Sequence, residues 1–341
     1  MKGFVLRYGV AACAAVLSLT VGLGQQNRSP IPVPLGLLPV QFPKDNPYSP
    51  EKAELGKLLY YDTRLSGDNT VSCATCHSPQ FAYTDGKPVS TGIRGQKGGR
   101  SAPTVINRAY SLAQFWDGRA ATLEAQAIGP IANPIEMDQS HESCINKLRG
   151  IAGYRQLFAK AFGTEEFTID HVAKAIATFE RTVLSGNSPY DRYKAGNKTA
   201  MTPSQIRGMD VYLNKAKCDQ CHEGINFTSN AYHNLGVGTD KPNPDEGRFA
   251  VTKNPADWGA FKTPTLRDIA RSAPYMHDGS LATLEDVVEF YDKGGLANKN
   301  LDKTMKPLKL TAQEKSDLVA FLKALNGEGW QSIKAPAKFP Q

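Results

Sequence analysis

Ile169, Val172, Ile176, Phe179 and Val183 recur at intervals of three and four, the spacing that lines one face of a helix. The stretch from about 167 to 184 is therefore predicted as a core helix. The same period places Leu284, Val287, Val288 and Tyr291 on one face behind Thr283, a good N-cap, and places Leu123, Gln126, Ala127 and Pro130 on the matching face of an earlier segment. "SPEKAELGKLLYY" reads as a helix with Pro50 near its start. "TPSQ" starts another, with Thr202 as cap and Gln205 closing a capping box; Thr311 and Glu314 repeat the device in "TAQEKSDLVAFLKALNG", which Asn326-Gly327 ends. Almost no stretch alternates as a strand would, so the predicted fold is mostly α with long loops.

Residues 1–24 pair Lys2 and Arg7 with a short apolar run and read as a cleaved export signal, which implies a periplasmic protein with no membrane span. "VAAC" at Cys13 does not suit a lipoprotein box, because the apolar run continues past it. Residues 25–48 are too rich in proline for a helix and are expected as an extended arm. The turn-forming "SGNSPYDRYKAGNKTAM" marks a boundary between domains at 49–200 and 201–330, with 331–341 as a tail.

The formal charge of +7 falls to +5 without Lys2 and Arg7, and no basic block with interleaved aromatics suggests nucleic acid. Five cysteines remain beyond Cys13, an odd number that makes a poor disulfide framework. Four of them form Cys73-Ala-Thr-Cys76-His77 and Cys218-Asp-Gln-Cys221-His222, each with the spacing of c-type haem attachment. Two thiols three residues apart reach the two vinyl groups of one porphyrin, and the following histidine lies under the iron. Zinc would want further ligands and a redox dithiol a βαβ setting, so His77 and His222 are assigned as proximal ligands of two covalent haems c. Cys144, His141, His171 and His233 read as structural residues. Arg94, Lys97 and Arg100 match no phosphate loop and are expected to pair haem propionates.

Pro103–Glu124 aligns without a gap on Pro264–Glu285, with ten of twenty-two positions identical, so the chain is an internal duplication with one haem per half. Tyr291 can offer a phenolate oxygen to the second haem, since ferric iron favours the anion; Met276 and His277 compete for that place. Its counterpart Pro130 has no group that binds iron. An open haem beside a closed one suits reaction with peroxide at the first and storage of an oxidising equivalent at the second.

With "FWDGRA" and "YMHDG" added to the two haem motifs, residues 48–330 resemble the bacterial dihaem cytochrome c peroxidases and, more closely, their MauG-type relatives. The resemblance implies two cytochrome c-like helical domains, an electron conduit at Trp116 between the haems, and Gln126 and Glu136 over the peroxidatic haem. It also implies hydrogen peroxide as oxidant and, in the MauG-type branch, a high-valent state shared by both haems that oxidises a partner protein. Where many dihaem peroxidases carry a blocking histidine this chain has Ile93, and where they ligate the second haem with methionine it has Tyr291. Ala216 replaces the MauG-type surface tryptophan, and Ser101 and Ser272 replace two residues of the family's calcium site, although Pro274 is kept. The alternatives are a peroxide-scavenging enzyme fed by a small cytochrome c or cupredoxin, and a non-enzymatic dihaem electron carrier with both irons closed.

Overall fold

The computed structural model describes residues 29–341, so the expected export signal at 1–24 lies outside the described residues. Eleven α-helices are described: α1 Pro50–Tyr61, α2 Cys73–Cys76, α3 Leu123–Ala132, α4 His141–Arg149, α5 Ala152–Phe162, α6 Ile169–Glu180, α7 Pro189–Lys194, α8 Pro203–Asp210, α9 Phe249–Thr252, α10 Leu284–Asp292 and α11 Ala312–Lys323. Strand structure among these residues is confined to four two-residue segments, β1 Ser185–Gly186, β2 Tyr232–His233, β3 Phe261–Lys262 and β4 Glu328–Gly329. The predicted capping boxes form at Thr202/Gln205 and Thr311/Glu314, and another forms at Thr283/Asp286. Helix α6 stops at Glu180, three residues short of Val183, which is buried but lies beyond the helix. Helices α4 and α5 were not legible in the pattern: their buried residues number only three and two.

The duplication persists in three dimensions. In the first half α1 crosses α6 so closely that a Cβ on Gly56 would fall 1.9 Å from the Ala175 carbonyl oxygen; in the second, α8 crosses α11 with a Cβ on Gly208 at 1.8 Å from the Asp317 carbonyl oxygen. Only glycine allows that approach. Four residues after each glycine a tyrosine turns inward, Tyr60 and Tyr212, each packed on the phenylalanine four residues after the approached carbonyl, Phe179 and Phe321. Two cores result, one built around Leu59, Tyr60, Phe158 and Phe179, the other around Tyr212, Val288, Phe321 and Leu322.

The 201–330 segment does not end on its own core. Strand β4 returns to pair antiparallel with β1, and Trp330 packs edge-on against Tyr83 in the first core. The last residues continue across the first half, where the Arg64 guanidinium donates to the Pro340 carbonyl. The proline-rich arm lies over the same junction, burying Ile31 and Val40 against Leu184.

Candidate active site

The two cysteine motifs are built alike. Behind each, the backbone carbonyl of the motif histidine accepts from a tyrosine, Tyr60 of α1 for His77 at 2.8 Å and Tyr212, just beyond α8, for His222. Each ring is fixed through Nδ1 by a carbonyl, Tyr83 at 3.3 Å for His77 and Phe227 at 3.1 Å for His222. Nε2 is thereby left for a metal, with the tautomer set by the opposite nitrogen. Burial holds both imidazoles neutral, His222 down to about 4. Burial also keeps the thiols of Cys73, Cys76 and Cys218 protonated, Cys76 raised to about 11 and Cys218 to about 12. Such thiols are poor zinc ligands and poor redox nucleophiles. Among the described residues no group of three or more His, Cys, Asp or Glu could hold a metal ion.

A cavity opens beside Cys73, Cys76 and His77, walled by Gln126, Ala127 and Pro130 of α3, by Glu136 and Met137, and by Glu180. A second, outer cleft carries Phe115, Arg119, Asn133, Pro130 and Glu136. Pro130 and Glu136 line both, so they stand between the open cleft and the chamber at His77. Glu136 Oε1 accepts from Asn133 Nδ2 at 2.8 Å; burial raises its pKa above the usual carboxylate value, against the pull of Arg119. Gly92 seats the loop behind it: a Cβ there would lie 2.0 Å from the Ile135 carbonyl oxygen, and the next N–H, of Ile93, donates to the Glu136 carbonyl at 2.9 Å. Ile93 itself is fully buried in the first core.

In the second half the equivalent helix is α10. Tyr291 lies on it beside Cys218 and Cys221, whose sulfurs add to the burial that raises its pKa. The competing residues differ. The His277 ring is stacked on Phe261 with centroids 3.6 Å apart, and Met276 sits in a turn at φ +71.

Trp116 is held from both halves. Its Nε1 donates to the Ser101 carbonyl at 2.9 Å, the Ser101 N–H donates to the His277 carbonyl at 2.7 Å, and the Lys262 N–H donates to the Trp116 carbonyl at 2.7 Å. Arg100, expected to reach propionates, instead bridges Asp117 at 2.7 Å and Asp245 at 2.6 Å; Arg94 pairs with Asp138, and Lys97 donates to the Thr91 hydroxyl. Arg100 and Arg94 thus pair with carboxylates of the protein, and Lys97 with a neutral hydroxyl. Cys144 is buried in the first core, His141 binds the Ile128 carbonyl, His171 caps α6, and His233 pairs with Asp302 at 2.6 Å.

Among the buried charges that escaped sequence reasoning are Glu180, Arg108 and Lys262. Comparing the halves would have exposed two of them. In the register set by the helix crossings Glu180 faces the place of Leu322, and in the Pro103/Pro264 alignment Arg108 takes the place of Ile269.

The profile described as di-haem cytochrome c peroxidase matches residues 50–199. "Methylamine utilization protein MauG" of Methylorubrum extorquens is 41% identical over 332 residues, covering 94% of this chain and 91% of that protein. The chain belongs to the dihaem cytochrome c peroxidase/MauG family. "Cytochrome c551 peroxidase" of Nitrosomonas europaea is also 41% identical, over 284 residues that cover 83% of this chain and 82% of its own. Among solved structures, a MauG-like protein associated with microbial copper homeostasis superposes with a TM-score of 0.80 at 37% identity, covering 87% of this chain and 95% of that one. The protein is thus a haem peroxidase-type oxidoreductase of mostly helical, cytochrome c-like fold, and the family carries two c-type haems. Its residues fit that cofactor: each motif presents two unpaired thiols and an imidazole oriented through Nδ1, and the Glu180 carboxyl leaves one oxygen unpartnered in the first chamber. Equal identity to a MauG and to a c551 peroxidase leaves the division between the two activities to the site itself.

Proposed function

We propose that this dihaem protein is an exported, periplasmic oxidase of MauG type, in which hydrogen peroxide reacts over His77 and the oxidising equivalents are passed to a partner protein. The observation that carries this reading is the pair Pro130 and Tyr291 at equivalent places on α3 and α10: at the first a bound iron would meet a proline with no group to give it, at the second it could take a phenol. When bound, the haems supply the redox chemistry, reduction of peroxide at the first and retention of an oxidising equivalent at the second. The protein supplies the proton handling and the path. Glu136, at the neck between cleft and chamber, takes a proton from peroxide and returns it to the leaving oxygen, a role that suits a buried carboxylate with a raised pKa. Gln126 in the same wall offers an amide to orient the peroxide. Trp116, pinned between Ser101 and Lys262 where the halves meet, is the conduit. Ile93 in the core, in place of a blocking histidine, supports a site that reacts without prior reduction.

At the calcium position, the Ser101 carbonyl already accepts from Trp116 Nε1 and the Ser272 hydroxyl from its own turn donates to Ile269. That donor set offers no carboxylate, and no step is derived through calcium.

The second reading is a peroxide scavenger fed by a small cytochrome or cupredoxin. Ala216, partly buried two residues before the second motif, favours it, because no aromatic stands there to pass electrons from a docked protein. One equivalent of hydrogen peroxide added to the fully ferric holoprotein, without reductant, separates the cases. Rapid spectral change with a near-infrared band shared by two haems supports the MauG-type oxidase. No reaction until one electron is supplied would overturn it in favour of a reductively activated peroxidase.

A further inference from the structure

Two cations are buried together where the halves meet. Lys262, in β3 of the second half, is 4% exposed, and Arg108, in the 108–110 turn of the first, is 9% exposed. Arg108 Nε donates to the Thr104 carbonyl at 2.7 Å, and among the described residues neither side chain forms an ion pair with a carboxylate. The charged neighbour of Lys262 is Arg108 itself; burial first, and that like charge second, lower its amine to about 7. The one acid facing Arg108 is Glu180, which burial raises to about 8 and which keeps Oε2 unpartnered. Buried cations that form no ion pair are strongly unfavourable, and a fold retains them when an anion belongs beside them.

The chemistry of that anion follows from the group the neighbouring motif holds. Haem brings two propionate carboxylates, and a guanidinium fork with a primary ammonium is a matched donor pair for them. Arg108 is close enough to His77 for its charge to act on the imidazole, and Lys262 is hydrogen-bonded through its backbone to Trp116. We propose that Arg108 and Lys262 form a clamp for the propionates of the haem attached at Cys73 and Cys76, with Lys262 reaching in from the C-terminal half. The clamp occurs once. In the duplicated register Ile269 stands for Arg108 and Ser101 for Lys262, so the haem at Cys218 and Cys221 has no counterpart. The first haem's potential is thereby tied to the closure of the second half over Trp116.

The inference rests on haem being bound at His77, and the experiment separates the two. Intact mass of the purified holoprotein reports both covalent haems first; a chain with none at Cys73/Cys76 would sink the haem assignment. Redox titration of Lys262→Met, followed optically at each haem, then tests the clamp. Loss of a positive charge stabilises the ferric form, so the midpoint of the His77 haem should fall by about a ten-fold change in the ferric/ferrous ratio, ~59 mV for one electron. Lys262→Arg should restore most of it, and the His222 haem should hold its midpoint. An unchanged first midpoint, or an equal fall at both haems, overturns the clamp. Lys262→Gln gives the same comparison should the methionine variant lose haem.

Discussion

Pro130 and Tyr291 stand at the same register on equivalent helices, each eight residues beyond the capping threonine, Thr122 and Thr283. The helices share their frame and differ in what that position can give to iron. Burial raises the Tyr291 phenol, and a ferric centre beside it would favour the anion. Tyr291→Met should therefore raise the second haem's midpoint potential, because a thioether replaces an anionic oxygen. It should also abolish the near-infrared band formed with peroxide. Redox titration and the peroxide spectrum check both; an unaltered potential would remove Tyr291 from the iron.

As the proposed base, Glu136 would act only when ionised, and burial raises its pKa. The fraction ionised, and with it the rate of peroxide reaction, therefore rises with pH through a value above 4.5 and is lost as pH falls through it. Glu136→Gln should slow the reaction by about 10²–10⁴-fold and flatten that acid limb at unchanged haem content. Arg119→Met, which removes the charge holding the pKa down, should move the limb to higher pH. Stopped-flow rates against pH decide; a limb that survives in Glu136→Gln belongs to another group.

The proposed conduit, Trp116, allows reaction to be separated from sharing. Trp116→Phe keeps the backbone hydrogen bond from Lys262 and loses only the one to the Ser101 carbonyl. Peroxide consumption over His77 should persist, while oxidation of the second haem slows at least roughly ten-fold, which is a barrier increase of about 1.4 kcal/mol. Single-turnover spectra at two wavelengths would show the two events part, and simultaneous loss of both would make the tryptophan a structural residue of the cavity.

The elements that sequence predicted are those with local causes. Thr202 with Gln205 and Thr311 with Glu314 close capping boxes within one turn, so the helix starts could be read directly. The faces carrying Gln126 and Tyr291 could be read because the duplicated phrase fixes their register. Helices α4 and α5 could not, since α5 draws its stability from packing on α1 and α4, and α4 from packing on α5 and α6. Glu180 was invisible for another reason: at the end of an amphipathic helix a lone acid resembles a solvated end, and only the crossing of α1 over α6 places it in the chamber. The return of β4 and Trp330 to the first half has no local signal at all, because a two-residue strand is specified by its partner.

Gly56 and Gly208 give a test of the duplicated crossing that is independent of iron. Each lies within a helix with ordinary backbone angles, so a methyl group there would meet only steric cost, about 2 Å from a main-chain carbonyl on the partner helix. Carbonyls fixed in a helix cannot move aside as a flexible side chain could. Gly56→Ala should cost at least ~1–3 kcal/mol in the first half, and Gly208→Ala the same in the second. The loss should be local: Tyr60, four residues after Gly56, braces His77, and Tyr212 braces His222, so each variant should release or misligate the haem of its own half. Gly129→Ala is the control. In α3 its added methyl would meet the Phe115 ring edge at an ordinary 3.7 Å, and alanine gains ~1 kcal/mol of helix propensity. Denaturation followed at each haem's optical band would register the three outcomes, and equal tolerance at all three glycines would mean that the crossings relax without them.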